Sequence, residues 1–374
     1  MTLVLVILLL ASFTFYLWFL WTVWRGLGHL SKPADAPPRY VSVVVAARNE
    51  NSTVKRCLES LLDQDYSSDA YEIIIVDDHS TDGTLNIATD TAAAQTKTKI
   101  SAISLREEHK LGGKPNAIAR GIQHARGDII FCTDADCIVP RQWIRSMSGC
   151  FEPSVAFVAG PALEIPSASI VSKLQSLEFL GLMTTAAGLI GYGKPIICSG
   201  ANIAYRKSAF LQASGYGDQG SSCDDETLMQ RILTRNIGHV VFNDDPEATV
   251  VTSSPASLRV FWQQRTRWAA KRDRYENPMI LWKLILLYSF FGVFFLTVIA
   301  ALFEPTLWFL VVPVFLLKST GDFLVLQRGA QMWRQRISLP HFLIAELLHV
   351  PYISLAGLIA QFTSMRWKGR TLEK

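Results

Sequence analysis

The chain is poor in charge: only 18% of its 374 residues are Asp, Glu, Lys or Arg, and 36 basic side chains nearly balance 32 acidic ones for a net charge of +4. That balance leaves no broad cationic face for wrapping a nucleic acid. The six cysteines, Cys57, Cys132, Cys137, Cys150, Cys198 and Cys223, contain no CxxC pair. This argues against a zinc site or a disulfide framework and leaves reduced thiols, as expected of a cytosolic domain. Charge is absent altogether from residues 3–24. No basic segment precedes that run and no small-residue cleavage site follows it, so it does not read as a cleaved signal peptide.

What the chain has instead is apolar residues, 49% of the total, in enough length for one large domain plus further segments. Residues 3–24 suffice to cross a hydrocarbon layer of about 30 Å. Arg25, His29, Lys32 and Arg39 follow at once, which places the next domain in the cytoplasm and the N-terminus outside. Near the other end, apolar runs 280–303 and 306–326 are separated only by Glu304 and Pro305 and read as a membrane hairpin. Lys318 and Asp322, one helical turn apart in its second arm, are expected to pair. The last run, 341–362, is interrupted by Glu346, His349 and Pro351. It reads as a re-entrant or in-plane helix with a cytoplasmic tail, with a full span as the alternative.

Between these ends the proline-rich stretch 32–39 breaks the helix, and strand and helix patterns then alternate. Strands are predicted at 41–46, 73–76 and 128–132, and helices at 51–62, 83–95 and 116–125. Such alternation predicts an α/β fold, a doubly wound and mostly parallel sheet whose ligands gather beyond the carboxyl ends of its strands. The organisation expected is an N-terminal transmembrane helix (1–30), a catalytic domain (38–255), an amphipathic interfacial helix (256–278), a membrane hairpin with a further helix (279–363) and a basic tail (364–374). The interfacial helix rests on residues 257–274, where Trp262, Arg265, Arg267, Trp268, Lys271, Arg272 and Arg274 suit lipid headgroups and their boundary.

Three acidic motifs fall where such a sheet would present them. Asp77 and Asp78 close an apolar strand, and Asp78 could accept a hydrogen bond from a pyrimidine; Ser80 or Asp82 would cap the next helix. Asp134 and Asp136, separated by Ala135, follow the apolar Ile129-Ile130-Phe131, and two carboxylates at that spacing converge on one hard cation and its phosphate oxygens. Asp224, Asp225 and Glu226 open a helix, where acids also serve as caps. Farther on, Gln264-Arg265-Thr266-Arg267-Trp268 joins a guanidinium fork to a broad ring, suited to a diphosphate and to a sugar or lipid face, or to anchoring at the membrane surface.

Taken in order, Ala47-Arg48-Asn49-Glu50, Val76-Asp77-Asp78-His79-Ser80, Gly113-Lys114, Thr133-Asp134-Ala135-Asp136, Gly200-Ala201-Asn202-Ile203-Ala204-Tyr205-Arg206, Asp224-Asp225 with Leu228, and Gln264 through Trp268 resemble the family-2 glycosyltransferases. The resemblance is to their membrane-integrated branch of cellulose, hyaluronan and chitin-oligomer synthases and ceramide glucosyltransferase. It implies a GT-A, Rossmann-like fold and an inverting, in-line transfer from a UDP-sugar, aided by Mn2+ or Mg2+. By the same resemblance Ala47 and Glu50 flank the nucleoside, Asp78 binds the base, Lys114 meets the diphosphate, and Asp134 with Asp136 holds metal and sugar nucleotide. Asp225 is the base, with Asp224 standing where the family has glutamate. Gln264, Arg267 and Trp268 match a QxxRW motif that contacts diphosphate and acceptor. Ala119 stands where the family often has asparagine, and Ala47 where proline is common.

The membrane segments are few, which favours a lipid acceptor over a polymer channel. The expected activity is therefore transfer of a hexose or N-acetylhexosamine to the hydroxyl of a membrane lipid: ceramide, diacylglycerol, a sterol or hopanoid, a carotenoid alcohol or a polyprenyl chain. The enzyme would lie in the plasma (inner) membrane with its catalytic domain in the cytoplasm. The alternative is a processive polysaccharide synthase, in which an oligomer supplies the channel walls. A non-enzymatic scaffold is the third reading, and the presence of Asp134, Asp136, Asp225 and Arg267 opposes it.

Overall fold

The computed structural model describes residues 2–35, 37–105, 113–216, 224–255, 257–269, 277–359, 365–367 and 370–372. Its contacts divide the chain into two units, one of Met1–Gly28, Pro166–Gly188 and Ser254–Lys374, the other of His29–Ile165 and Leu189–Ser253.

The second unit is built on a seven-stranded sheet. Strands β1 (Val41–Ala47), β2 (Tyr71–Asp77), β3 (Lys99–Ser104) and β4 (Ile129–Asp134) run parallel in the order β3-β2-β1-β4. β2 is buried along its whole length, and β1 along all but one residue. Unbroken burial of this kind belongs to parallel strands covered on both faces. Glu72 lies inside β2, and its charge is tolerated because its carboxylate is fully engaged. Oε1 accepts from Ser42 Oγ (2.8 Å) and the Arg126 amide (2.7 Å), and Oε2 meets Lys99 Nζ at 3.2 Å.

Beyond β4 the sheet continues in the order β7 (Ile203–Arg206), β5 (Val155–Ala159) and β8 (His239–Phe242), while β6 (Ala162–Ile165) pairs with β9 (Val250–Ser253) in a small parallel sheet. β7 is antiparallel to both β4 and β5. Its amino end therefore arrives at the same sheet edge as the carboxyl ends of β1, β2 and β4, which brings Gly200 to Asn202 to that edge. Helices α2 (Val54–Leu62), α3 (Thr84–Ala94), α4 (Lys114–His124), α5 (Trp143–Gly149), α7 (Lys207–Gln212) and α8 (Asp224–Thr234) complete the unit. α4 lies close against β1 because Gly121 carries no side chain: a Cβ there would strike Val44.

The first unit holds α1 (Thr2–Gly26), α6 (Ile170–Gly191, as far as Gly188), α9 (Leu258–Ala269), α10 (Pro278–Ala301), α11 (Trp308–Met332) and α12 (Leu339–Ile359). Among the described residues four helices are long and apolar enough to cross a membrane, and they coincide with the apolar runs of the sequence. The last run is one helix with Pro351 inside it. Leu9, Phe13 and Tyr16 of α1 pack with Phe290, Phe291 and Phe294 of α10 and with Val311, Val314 and Val350. Outward residues are apolar as well; Phe309 is 87% exposed, as a lipid-facing side chain would be. α6 joins this bundle through small contacts: a Cβ on Gly188 would meet Val23 of α1, and one on Gly329 of α11 would meet Thr184.

Lys318 and Asp322 do pair, at 2.7 Å. The structure adds what the sequence presented only as interruptions of an apolar run. Lys318 Nζ also lies 2.7 Å from Glu346 Oε2 and 3.2 Å from His349 Nδ1, and Tyr16 donates to Asp322 at 2.5 Å.

Candidate functional site

The loops that follow β1, β2 and β4 start in register, with Ala46 opposite Asp134 and Ala47 opposite Asp77. Two of them are laced together by short hydrogen bonds. The Asn49 amide donates to Ser80 Oγ (3.0 Å), the Glu50 amide to Thr84 Oγ1 (2.8 Å), and the Thr81 amide to Asn49 Oδ1 (2.8 Å). Asn49 and His79 both take positive φ, 52° and 58°, which Asn and His adopt more readily than most residues. Asp82 accepts from the Thr84 amide at 3.0 Å, but it lies one residue ahead of the cap position of α3, which Gly83 holds without a side-chain bond. Burial works against the Asp82 carboxylate, but the Thr84 hydroxyl and amide and the Asn51 amide outweigh it and hold the group below the usual carboxylate range.

Ala47, proposed to flank a nucleoside, ends β1 and is buried. Glu50 is half-buried, with Oε2 accepting from Thr53 Oγ1 at 2.9 Å. Asp77 is tied into its own turn by Oδ2, which accepts the Ser80 amide at 3.2 Å, while its Oδ1 is buried without a hydrogen-bond partner among the described residues. Asp78 is buried; its Oδ1 lies 2.9 Å from His79 Nδ1 and its Oδ2 3.8 Å from Arg48 Nη1, which also donates to the Asp78 carbonyl at 3.2 Å. The sequence reading did not assign Arg48, although it belongs to the Ala-Arg-Asn-Glu motif.

The densest charge lies at the end of β4. Lys114, first residue of α4, places its Nζ 2.5 Å from Asp134 Oδ1 and 3.7 Å from Asp225 Oδ2. The motifs around residues 114, 134 and 225 therefore meet at one ammonium. Burial tends to depress the Lys114 pKa, but Asp134 and Asp225 outweigh it and hold the group above the ordinary lysine value. Asp225 lies in the first turn of α8. Gly200 gives it room: a Cβ there would collide with the Asp225 carboxylate and come within 2.9 Å of Lys114 Nζ. The motif containing Gly200 was visible in the sequence, but this steric role was not.

Oxygen atoms of Asp134 and Asp136 and the Cys137 sulfur lie within 4.8 Å of one another, close enough to share one cation. The two carboxylates are partly exposed and suit a hard divalent ion. Cys137 suits it less, since burial and the nearby carboxylates of Asp136 and Asp134 push its thiol well up and keep it protonated.

Asn202, which immediately precedes β7, is wholly buried and its side-chain amide fully used. Nδ2 donates to the carbonyls of Pro161 and Ala248, each at 2.8 Å, and Oδ1 accepts from Trp143 Nε1 at 2.8 Å. Gln264, Arg267 and Trp268 belong to α9 in the first unit; Gln264 is half-buried, and the side chains of Arg267 and Trp268 lie outside the described residues.

Two family models match the chain: "Glycosyl transferase family 2" over residues 42–212 and "Glycosyl transferase family group 2" over residues 129–321. Among curated proteins, the chain is 26% identical over 234 residues to a probable glycosyltransferase, YdaM, of Bacillus subtilis, covering 61% of this chain and 54% of that one. It is 28% identical over 234 residues to the poly-beta-1,6-N-acetyl-D-glucosamine synthase of Staphylococcus aureus, covering 61% and 53%. The chain thus spans about half the length of the curated relatives it matches. Among solved structures it resembles the mannosyltransferase PcManGT of Pyrobaculum calidifontis, in complex with GDP-Man and Mn2+, with a TM-score of 0.60, 20% identity and 96% of each chain covered. That likeness speaks to the fold, which is of the GT-A kind.

Proposed function

The chain belongs to the family-2 glycosyltransferases, and from that we propose that it transfers a hexose or N-acetylhexosamine from a UDP-sugar to the hydroxyl of a membrane lipid, inverting the anomeric centre. The observation that carries this reading is the ion cluster at the end of β4, where Lys114 bridges Asp134 and Asp225. It puts a candidate base next to the carboxylates that would hold a metal and the donor diphosphate.

In the proposed reaction Asp225 takes the proton of the acceptor hydroxyl as its oxygen attacks the anomeric carbon, and the bond from that carbon to the diphosphate breaks on the opposite side. Lys114 stabilises the charge that gathers on the departing diphosphate. Asp134 and Asp136 would hold a divalent ion, which supplies further neutralisation of that charge when bound. Asp78 and Glu50, fixed by the interlaced loops, would meet the nucleoside. Gln264, Arg267 and Trp268 would serve the diphosphate and the acceptor. The Mn2+ of the Pyrobaculum mannosyltransferase complex supports the metal assignment.

The four apolar helices support an acceptor that lives in the bilayer, and Arg25, His29, Lys32 and Arg39 after the first apolar run support a catalytic unit on the cytoplasmic side. A second reading, a polysaccharide synthase, is favoured by the similarity to the staphylococcal poly-beta-1,6-N-acetyl-D-glucosamine synthase. The two separate in one experiment, in which the full chain in lipid vesicles is supplied with radiolabelled UDP-glucose, UDP-N-acetylglucosamine or GDP-mannose. Solvent-extractable label is the expected result; label retained in high-mass polymer overturns the lipid reading in favour of the second. EDTA is expected to abolish transfer and manganese or magnesium to restore it, and full turnover in EDTA removes the metal from the mechanism.

A further inference from the structure

Arg265 is the second residue of the Gln264 to Trp268 segment, and neither the QxxRW motif nor the site gives it a task. It is 5% exposed, unusual for an arginine on a helix that otherwise reads as interfacial. Its Nη2 and Nε lie 3.1 and 3.2 Å from Oε2 of Glu178 on α6. The other oxygen of that carboxylate, Oε1, accepts from the hydroxyl of Tyr352 on α12 at 3.2 Å. The guanidinium also stacks on Phe261, one turn back on α9, at 4.9 Å from the ring centroid. Phe261 and Trp262 in turn meet the Tyr352 ring at 5.7 and 6.1 Å. One carboxylate thus ties three helices of the first unit together.

The geometry of a helix turns this knot into a rotational lock. Successive residues advance by about 100° around the axis, so positions 264, 267 and 268 share one face and position 265 lies roughly a quarter-turn to its side. Arg265 held on Glu178, with Phe261 and Trp262 against Tyr352, fixes how far α9 is turned, and so fixes the face that carries the motif.

We infer that Arg265 is a positioning residue for the transfer reaction, acting through its ion pair with Glu178 and the Tyr352 hydroxyl to set the rotation of α9. This rests on the proposed part of the QxxRW residues in catalysis. A brace that served stability alone would leave the turnover of folded molecules unchanged; a positioning residue lowers it.

The test uses the full chain in vesicles of a total polar lipid extract, with whichever labelled nucleotide sugar proves active, and compares R265Q, R265K, E178Q, the R265Q/E178Q pair and Y352F with R267A. Turnover is counted per folded molecule, with folding followed by thermal unfolding. R265Q and E178Q are expected to lower kcat by about tenfold or more, as small misplacements of reacting groups do. The double variant should be no worse than R265Q, because the two act as one unit, and R265K should recover part of the loss. Wild-type kcat in R265Q, whatever its melting temperature, overturns the inference. Should R265Q not fold, R265K and Y352F decide it, and unaltered kcat in both overturns it. Full turnover in R267A would instead overturn the part given to the motif itself, so the two failures are told apart.

Discussion

Lys114 Nζ lies 2.5 Å from Asp134 Oδ1, so an ammonium from the start of α4 meets, at the end of β4, a carboxylate proposed to hold a metal. The same ammonium reaches Asp225 at 3.7 Å. Substitution by Met leaves the carboxylates of Asp134 and Asp225 without this neutralising charge. K114M is therefore expected to bind manganese more tightly, read by loss of the free-ion signal in electron paramagnetic resonance, and to transfer sugar about a hundredfold more slowly, since a charge at the leaving diphosphate is gone. Weaker manganese binding would contradict the competition between Lys114 and the metal.

The direction of the Lys114 shift also bears on pH. Its pKa is raised in the fold, against burial, by Asp134 and Asp225. A raised pKa means that the ion pair contributes stability below the ordinary lysine value of about 10.4 and loses it only as pH climbs through the still higher folded value. The rate profile between about pH 6 and 9 should then keep its shape in K114R, whatever its height. A limb that moves in K114R would show that Lys114 titrates there after all.

The central strands and the carboxylate motifs were legible in the sequence for a physical reason. β1, β2 and β4 are buried on both faces and read as apolar runs interrupted in β1 by Ser42 and in β2 by Glu72, and the acids at the ends of β2 and β4 mark the sheet edge. β5, β7, β8 and the β6-β9 pair are only four or five residues long, too short to show a period. The antiparallel course of β7, which delivers Gly200 to the site, therefore had no local signal. Contacts between distant helices were equally silent. Glu178, Arg265 and Tyr352, or Lys318 and Glu346, are far apart in sequence, and no pattern along a single helix announces their meeting.

Gly200 offers a test of that hidden geometry. A methyl group there would overlap the Asp225 carboxylate. G200A is expected to displace Asp225 and lower kcat about a hundredfold, as a misplacement near 1 Å does, while the melting temperature of the full chain stays within a few degrees. Wild-type kcat would mean that Asp225 does not act from the position it holds here.

Asn202 should show the opposite pattern, a loss of stability first. N202L removes three hydrogen bonds at 2.8 Å and leaves the Trp143 indole and the carbonyls of Pro161 and Ala248 buried without them. Each orphaned buried group costs about 1–3 kcal/mol. A fall of about 3 kcal/mol or more in unfolding free energy is expected, measured by denaturant titration of the full chain in detergent.

The bundle of the first unit carries its own buried charge. Lys318 is 0% exposed, and the three hydrogens of its ammonium are directed to Asp322, Glu346 and His349. Since an ammonium offers no acceptor, His349 Nδ1 must accept and the imidazole proton resides on Nε2. Asp322, Glu346 and His349 are near enough to hold a metal, but the ammonium already fills that role. K318M keeps the volume of the stem and removes the charge, leaving two carboxylates facing each other among apolar helices. Breaking a buried ion pair from one side costs about 3–5 kcal/mol, so K318M is expected to lower the melting temperature of the full chain in detergent sharply. Neutralising the partners as well, in K318M/D322N/E346Q, should recover much of that loss, because no uncompensated charge then remains in the bundle. If the triple variant is no more stable than K318M, the cluster is held by shape and not by charge.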